Sequence, residues 1–95
     1  MRFEWDPKKE AANREKHGIG FDEAVELLRS DTDYLEIFDE VHSDIEERFI
    51  AIGPISRGLI LVVWTERIDE YTRIISARWA TKLERVLYQR YVEDR

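Results

Sequence analysis

Ninety-five residues, 43% of them apolar and 12% aromatic, suffice for one small domain with a core but not for two. The chain lacks cysteine, which excludes disulfides and thiolate metal sites. Its first residues lack an apolar signal core, and its longest apolar run, residues 59–64, is far too short to span a bilayer. We therefore expect a single cytoplasmic domain over residues 1–95, with no membrane association.

The net charge of −6 argues at first against a polyanionic partner. Charge is unevenly distributed, however: residues 1–47 carry −9 and residues 48–95 carry +3. Residues 31–47 hold eight acids and no Lys or Arg. This pattern is typical either of solvated surface or of an acidic docking surface for a basic partner beside a separate basic cleft.

The first elements have clear boundaries. Alternation of Phe3 and Trp5 predicts a short strand over residues 2–5. Asp6 then suits a helix N-cap and Pro7 a first helical turn, which predicts a helix to about His17. Gly18 ends it, because glycine adopts the left-handed conformation at little cost.

A second helix is predicted over residues 22–30, with one apolar face. The residues on that face are Phe21, Ala24, Val25 and Leu28. The acidic stretch that follows contains a short candidate edge strand at residues 34–38.

Three further strands are expected at residues 47–52, 59–64 and 71–76. We expect a turn that begins at Gly53-Pro54 and is completed by residues 56–58 to follow the first of them, and residues 65–70 to form a polar connection. A last helix is predicted over about residues 77–92, its core side formed by Ala80, Leu83, Leu87 and Tyr91. The order β-α-α-β-β-β-β-α predicts an α+β fold with helices packed on a mainly antiparallel sheet.

Lys16 and His17 form the first candidate site. A histidine titrates near neutrality and suits general acid–base catalysis. Cations at a helix C-terminus also interact favourably with the helix dipole, so a purely structural role is equally compatible with this position.

Glu47 and Arg48 form the second candidate site. A carboxylate base beside a phosphate-binding arginine is one interpretation. Strand alternation places Glu46 and Arg48 on one face, so an exposed ion pair of little energetic value is the other.

The third candidate site lies at residues 67–82. Arg73 is a charge inside a predicted strand, and Ser76 is the predicted N-cap of the last helix. Arg78 would then lie in the first helical turn, where a cation is disfavoured unless an anion binds at the same helix end. Arg67 and Lys82 are additional candidates for substrate binding.

No metal-ligand spacing, phosphate-binding loop, dinucleotide-binding glycine pattern or Ser-His-Asp arrangement is present in the sequence. His17 and His42 are far apart in sequence. Proton transfer and stabilisation of a pentacoordinate phosphate remain possible with His, Glu, Lys and Arg alone, without a metal or cofactor.

Several short motifs together resemble the BrnT family of ribonuclease toxins. They are Phe-Glu-Trp-Asp-Pro at residues 3–7, Asn13 with Lys-His-Gly at 16–18, Phe21 with Glu-Ala at 23–24, Glu-Arg at 47–48, Ile-Gly at 52–53, Arg-Ile-Ile-Ser-Ala-Arg at 73–78, and Glu84 with Tyr88. The motif at 73–78 is the most specific. Trp79 departs from the pattern, since a smaller or basic residue is frequent there.

The resemblance implies a RelE-like fold, RNA cleavage that arrests translation, and a BrnA-like ribbon-helix-helix antitoxin. It also implies a 2:2 complex that represses its own operon, contacting operator DNA only through the antitoxin.

Two classes of function follow. The first is a metal-independent endoribonuclease in which His17, Lys16, Glu47, Arg48, Arg73 and Arg78 are catalytic, and Arg67, Ser76 and Lys82 bind RNA. The second is a binding module that keeps the antitoxin interface but has weak or no catalysis, which the negative net charge favours.

Overall fold

A computed structural model describes residues 2–30, 33–41 and 46–94. His42 and Asp44, and parts of the acidic stretch, lie outside the described residues. The elements are β1 (Arg2–Glu4), α1 (Pro7–His17), α2 (Phe21–Arg29), β2 (Leu35–Phe38), β3 (Phe49–Ile55), β4 (Gly58–Glu66), a 3-10 turn (Ile68–Glu70), β5 (Tyr71–Trp79) and α3 (Lys82–Asp94). The predicted order of three helices and five strands is confirmed.

The five strands form one sheet in the order β1-β5-β4-β3-β2. The pairs β2–β3, β3–β4 and β4–β5 are antiparallel, as expected. β1 runs parallel to β5, so the sheet is mixed rather than built from antiparallel pairs throughout. A parallel neighbour is possible here because α1, α2 and three strands separate β1 from β5 in the chain.

α1 begins and ends where the sequence predicts. The Asp6 side chain accepts a hydrogen bond from the Lys8 N–H at 2.9 Å. Gly18 is left-handed at φ 71°, and its N–H donates to the Arg14 carbonyl at 2.8 Å. Both helix ends therefore have backbone partners of the expected kind.

α1 and α2 cover one face of the sheet, where the main core lies. Phe21, Ala24, Leu27 and Leu28 are buried, whereas Val25 is only partly so. The predicted apolar face was therefore wrong at one position, Leu27 taking the place of Val25. Trp5 packs edge to face on Phe21 with 6.0 Å between ring centroids, which is a favourable aromatic geometry.

The predicted turn at Gly53-Pro54 is wrong, because β3 continues through both residues to Ile55. The chain turns at Ser56 and Arg57, the later part of the predicted connection. Gly53 is required by packing: a Cβ there would lie 2.7 Å from a Leu27 methyl and 2.8 Å from the Tyr34 Cβ. The glycine therefore permits close approach of neighbouring elements rather than a reversal of the chain.

The boundary between β5 and α3 also differs from the prediction. β5 extends to Trp79, so Ser76 lies opposite Val63 and Arg78 opposite Leu61 in the ladder. Ser76 is not a helix N-cap, and Arg78 is not in a helical turn. β4 is nine residues long and pairs with β5 from Thr72 to Trp79, with one irregularity in the ladder.

α3 begins after Thr81, which forms a capping box with Glu84. The Thr81 hydroxyl accepts the Glu84 N–H at 3.2 Å, and the Glu84 carboxylate accepts the Thr81 N–H at 2.8 Å. The hydroxyl and the carboxylate each accept a backbone N–H that has no partner within the helix. This signal lies five residues after Ser76 and sets the start of the helix.

α3 packs lightly on the second face of the sheet, and none of its described residues is buried. The predicted core side is right for Ala80, which is buried just before α3 begins, but wrong for Leu83 and Leu87, which are 68% and 40% exposed. The helix is oriented instead by Tyr88, which packs on a small cluster of Ile52, Leu61 and Ala80. Within the part of the chain that the structure describes, some of the second sheet face is consequently left uncovered.

None of the described helices is long and apolar enough to cross a bilayer.

Candidate active site on the second face of the sheet

A groove of about 300 Å³ lies on the second sheet face beside the start of α3. Strand alternation brings its residues together, because side chains two positions apart share a face. Its apolar lining is Ile50, Leu61, Val63 and Ile75, and its polar lining is Asp39, Arg48, Ser76, Arg78 and Glu84. Two guanidinium groups over an apolar floor form a surface that can bind phosphate and stack a base.

Arg78 is the best-defined cation of the groove. Its Nη1 and Nη2 donate to the two carboxylate oxygens of Glu84, each at 2.8 Å, and Nη1 also donates to the Trp79 carbonyl at 3.2 Å. The hydrogen bonds from Arg78 lower the pKa of Glu84 to about 2, and the same pairing raises the pKa of Arg78. Both groups are therefore charged at any physiological pH.

Arg48 lies just before β3. Its Nη2 is 3.7 Å from Glu46 Oε1, so the predicted ion pair between these residues is present. The Arg48 carbonyl accepts the Asp39 N–H at 2.8 Å, which ties the chain after β2 to the chain before β3. Asp39 and Arg48 thus reach the groove from adjacent segments.

A larger cavity of about 910 Å³ lies elsewhere, at the end of the sheet. Five carboxylates line it, those of Glu4, Glu46, Glu47, Glu66 and Asp69, and among the described lining residues Arg67 supplies the one guanidinium. That charge would repel RNA phosphates, so the smaller groove is the better candidate site for an anionic substrate despite its size.

Three of the nine sequence-predicted site residues therefore line the groove: Arg48, Ser76 and Arg78. Glu47 and Arg67 line the acidic cavity. Arg73 lies on β5 and pairs with Glu4 at 2.7 Å, which accounts for a charge within a strand without invoking a ligand.

The remaining three are not among the described residues that line either cavity. Lys16 and His17 occupy the last turn of α1, the position favoured by the helix dipole, and Lys82 is the exposed first residue of α3. The structure does not bring His17 together with the arginines of the groove.

Two carboxylates of the groove, Asp39 and Glu84, were not predicted as site residues. Glu84 had a usable signal, since Thr81-x-x-Glu84 is a capping box and places Glu84 one helical turn from the end of β5. Asp39 had none, because it is one of eight acids in a stretch without regular patterning. Within the described residues, no three His, Asp or Glu side chains are grouped so that they could hold a metal ion.

The family model described as "Ribonuclease toxin, BrnT, of type II toxin-antitoxin system" matches residues 5–84. The 1.1 Å crystal structure of the Brucella abortus ribonuclease toxin BrnT superposes with a TM-score of 0.63 at 26% identity. The match covers 86% of this chain and 99% of the Brucella chain. A comparison with curated protein sequences found no match.

Proposed function

Since the chain belongs to the BrnT family of ribonuclease toxins of type II toxin–antitoxin systems, we propose that it is an endoribonuclease that cleaves RNA, and thereby inhibits translation, at the groove on the second sheet face. The observation that carries this proposal is the convergence of Arg48, from the segment before β3, with Ser76 and Arg78, from β5, on one groove. Guanidinium groups beside an apolar floor suit a phosphodiester flanked by bases.

Cleavage requires a base that removes the proton of a ribose 2′-hydroxyl, so that the oxygen attacks the adjacent phosphorus. The bond from phosphorus to the 5′-oxygen breaks, and that oxygen takes a proton from the protonated base or from water. Glu84 is a weak base, because Arg78 holds its pKa near 2. Asp39 is the other carboxylate among the described groove residues, and we assign it the role of base. Arg48 and Arg78 stabilise the charge that develops on the phosphate oxygens, and Ser76 donates a hydrogen bond to substrate.

RNA extends beyond a groove of this size, so further cations would contact its backbone. Arg67, Arg73 and Lys82 remain candidates for such contacts, while Glu47, Lys16 and His17 remain candidates for proton transfer if the substrate reaches them. The fold is proposed to be RelE-like. No step requires a metal ion or cofactor, because carboxylate and guanidinium groups supply the proton transfer and charge stabilisation.

Membership of a type II system implies an antitoxin partner. We propose that it is a BrnA-like ribbon-helix-helix protein, that two toxins and two antitoxins assemble in the cytoplasm, and that the complex represses its own operon. The toxin then reaches operator DNA only through the antitoxin. Exposed apolar side chains of α3, Leu83, Val86 and Leu87, are available for a protein contact.

A catalytically weak or inactive binding module is the second candidate function. Glu84 neutralises Arg78 and occupies one edge of its guanidinium, and the whole chain carries −6. Both features weaken attraction for RNA. In this case the fold and the antitoxin interface are retained while cleavage is slow or absent.

Purified toxin assayed on a labelled RNA tests the proposal. Arg48→Ala and Arg78→Ala should each slow cleavage by about 10²-fold or more, the scale of losing one preorganised charge-stabilising donor. Arg90→Ala, on the exposed surface of α3, is the matched control and should cleave normally. Unchanged rates in both groove variants would remove the groove as the active site. A soluble wild-type protein that neither cleaves RNA nor slows growth when expressed alone would establish the binding module instead.

A further inference from the structure

We infer that Glu84 is a positioning residue. It holds the edge of the Arg78 guanidinium formed by Nη1 and Nη2, and so presents the edge formed by Nε and Nη2 to a phosphate of the substrate. This inference rests on the proposed function, because it assumes that Arg78 contacts the RNA. It adds a role for a carboxylate that sequence reasoning did not place in the site.

The hydrogen bonds of Arg78 show which edge is available. A guanidinium has five N–H donors. Three of them are used: one each from Nη1 and Nη2 to Glu84, and a second from Nη1 to the Trp79 carbonyl. Within the part of the chain that the structure describes, Nε–H and the second Nη2–H of Arg78 make no hydrogen bond.

Those two donors are parallel and lie on the same side of the guanidinium. A parallel pair of N–H groups matches two oxygens of one phosphate and binds them bidentately. Glu84 occupies the pair of donors formed by Nη1 and Nη2. The pair formed by Nε–H and the second Nη2–H therefore stays available to a phosphate. A carboxylate that acted as a competitor for phosphate would have to be displaced, whereas here both anions fit on one guanidinium.

Glu84 is itself held firmly. It is the third residue of α3, its backbone N–H donates to the Thr81 hydroxyl, and its carboxylate accepts the Thr81 N–H. Its side chain is only 18% exposed. The helix start therefore fixes the carboxylate, and the carboxylate fixes the guanidinium that reaches the groove from β5.

The variant Glu84→Gln separates the positioning of Arg78 from the capping of α3. The glutamine oxygen can still accept the Thr81 N–H, but its amide nitrogen faces the Nη2–H donor of Arg78 and breaks the bidentate pair. Thr81→Ala is the matched control, because it weakens the helix start and leaves the Glu84–Arg78 pair intact. Arg78→Ala reports whether the groove is the active site at all.

Cleavage of a short RNA by these three variants, with kcat and KM determined separately, gives the first readout. Glu84→Gln should lower kcat by about 10²-fold, the scale of a misplaced reacting group, while the variant stays folded at the assay temperature. Thr81→Ala should keep kcat within about twofold of wild type, since added flexibility at the helix start leaves the ion pair formed.

A second readout does not depend on activity. In ¹⁵N spectra the Nε–H signal of Arg78, assigned by its loss in Arg78→Lys, should shift when inorganic phosphate is added to the wild type and shift much less in Glu84→Gln. Wild-type kcat and an unchanged phosphate response in Glu84→Gln would overturn the inference and leave Glu84 as a cap. Faster cleavage by Glu84→Gln would also overturn it, because Glu84 would then compete with the substrate.

Failure of the proposed function gives a different result. If Arg78→Ala cleaves like the wild type, the groove is not the active site and the role assigned to Glu84 falls with it. If Arg78→Ala is inactive and Glu84→Gln is normal, the groove stands and only the positioning role is wrong.

Discussion

The side-chain amide of Asn13 pairs with the backbone of Ala77 as a neighbouring strand would. The Ala77 N–H donates to Asn13 Oδ1 at 3.1 Å, and Asn13 Nδ2 donates to the Ala77 carbonyl at 2.7 Å and to the Ile19 carbonyl at 2.9 Å. β1 covers β5 only at residues 71–73, so Ala77 lies beyond its reach. One buried side chain thus satisfies three backbone groups and joins α1 to the strand that carries Arg78.

Asn13→Ala should therefore destabilise the fold strongly. It leaves buried donors and acceptors without partners, which costs at least about 2 kcal/mol and lowers the melting temperature by roughly 10 °C in a domain of this size. Thermal unfolding followed by circular dichroism measures the effect. Glu15→Ala, on the exposed side of the same helix, should change the melting temperature by no more than a few degrees. Equal melting temperatures for Asn13→Ala and this control would contradict the bridging role.

Local chemistry explains which elements could be predicted. α1 is delimited by Asp6 and Gly18, whose effects depend only on neighbouring residues, and both boundaries are correct. The end of β5 depends on the length of β4, its ladder partner, which no local signal shows. Gly53 is a similar case, because the reason for the glycine lies in Leu27 and Tyr34, which are far away in the sequence.

The site prediction was limited for the same reason. Arg78 was chosen because a cation in a first helical turn would need an anion, yet the residue lies in a strand and its anion is Glu84. Arg48 and Arg78 meet only through the pairing of β3, β4 and β5. His17 was chosen for its chemistry, and the fold places it in the last turn of α1, outside the groove. Glu47 was chosen as a base beside Arg48, but it lines the acidic cavity rather than the groove.

Protonation of the Glu84 carboxylate should lower the stability of the fold at acidic pH. Its folded pKa of about 2 lies below the ordinary value of 4.5 because of Arg78, so its contribution is full above about pH 4.5 and is lost as the pH falls through 2. Allowing for screening at a partly exposed position, this contribution is on the order of 2 kcal/mol. Denaturant unfolding between pH 2 and 6 should show a smaller loss of stability in Glu84→Gln than in the wild type. Parallel curves would show that the pair does not set the acid sensitivity.

His17→Ala distinguishes general acid–base catalysis from a role at the helix end. The residue lies outside the groove in the last turn of α1, so we expect cleavage to fall by less than about threefold rather than the 10²-fold or more that loss of an acid–base group costs. Melting temperature should fall slightly, since a cation near the helix C-terminus contributes about 0.3–1 kcal/mol when protonated. A loss of 10²-fold or more with an unchanged melting temperature would return His17 to the active site.

Cleavage should persist in EDTA. The proposed mechanism uses Asp39 as base and the arginines of the groove for charge stabilisation, so chelation of divalent ions removes none of its parts. The assay compares initial rates with and without EDTA at constant ionic strength, since RNA binding itself depends on salt. Loss of cleavage that a single divalent ion restores would overturn the metal-independent mechanism.

Association with the antitoxin should depend on the acidic stretch at residues 31–47, which carries eight acids and no Lys or Arg. The proposed ribbon-helix-helix antitoxin would present basic DNA-binding strands, so opposite charges would steer the encounter. The association rate should fall as salt rises, because the Debye length is only about 8 Å at physiological ionic strength. Replacing Asp39, Glu40 and Asp44 by their amides should slow association more than it speeds dissociation.

The control makes the same change from acid to amide at Glu15, Asp69 and Glu70. It alters the net charge equally outside the acidic stretch and should slow association less. Equal effects of the two triple variants, or rates that do not vary with salt, would make the stretch ordinary solvated surface and leave antitoxin binding to apolar contacts such as those of α3.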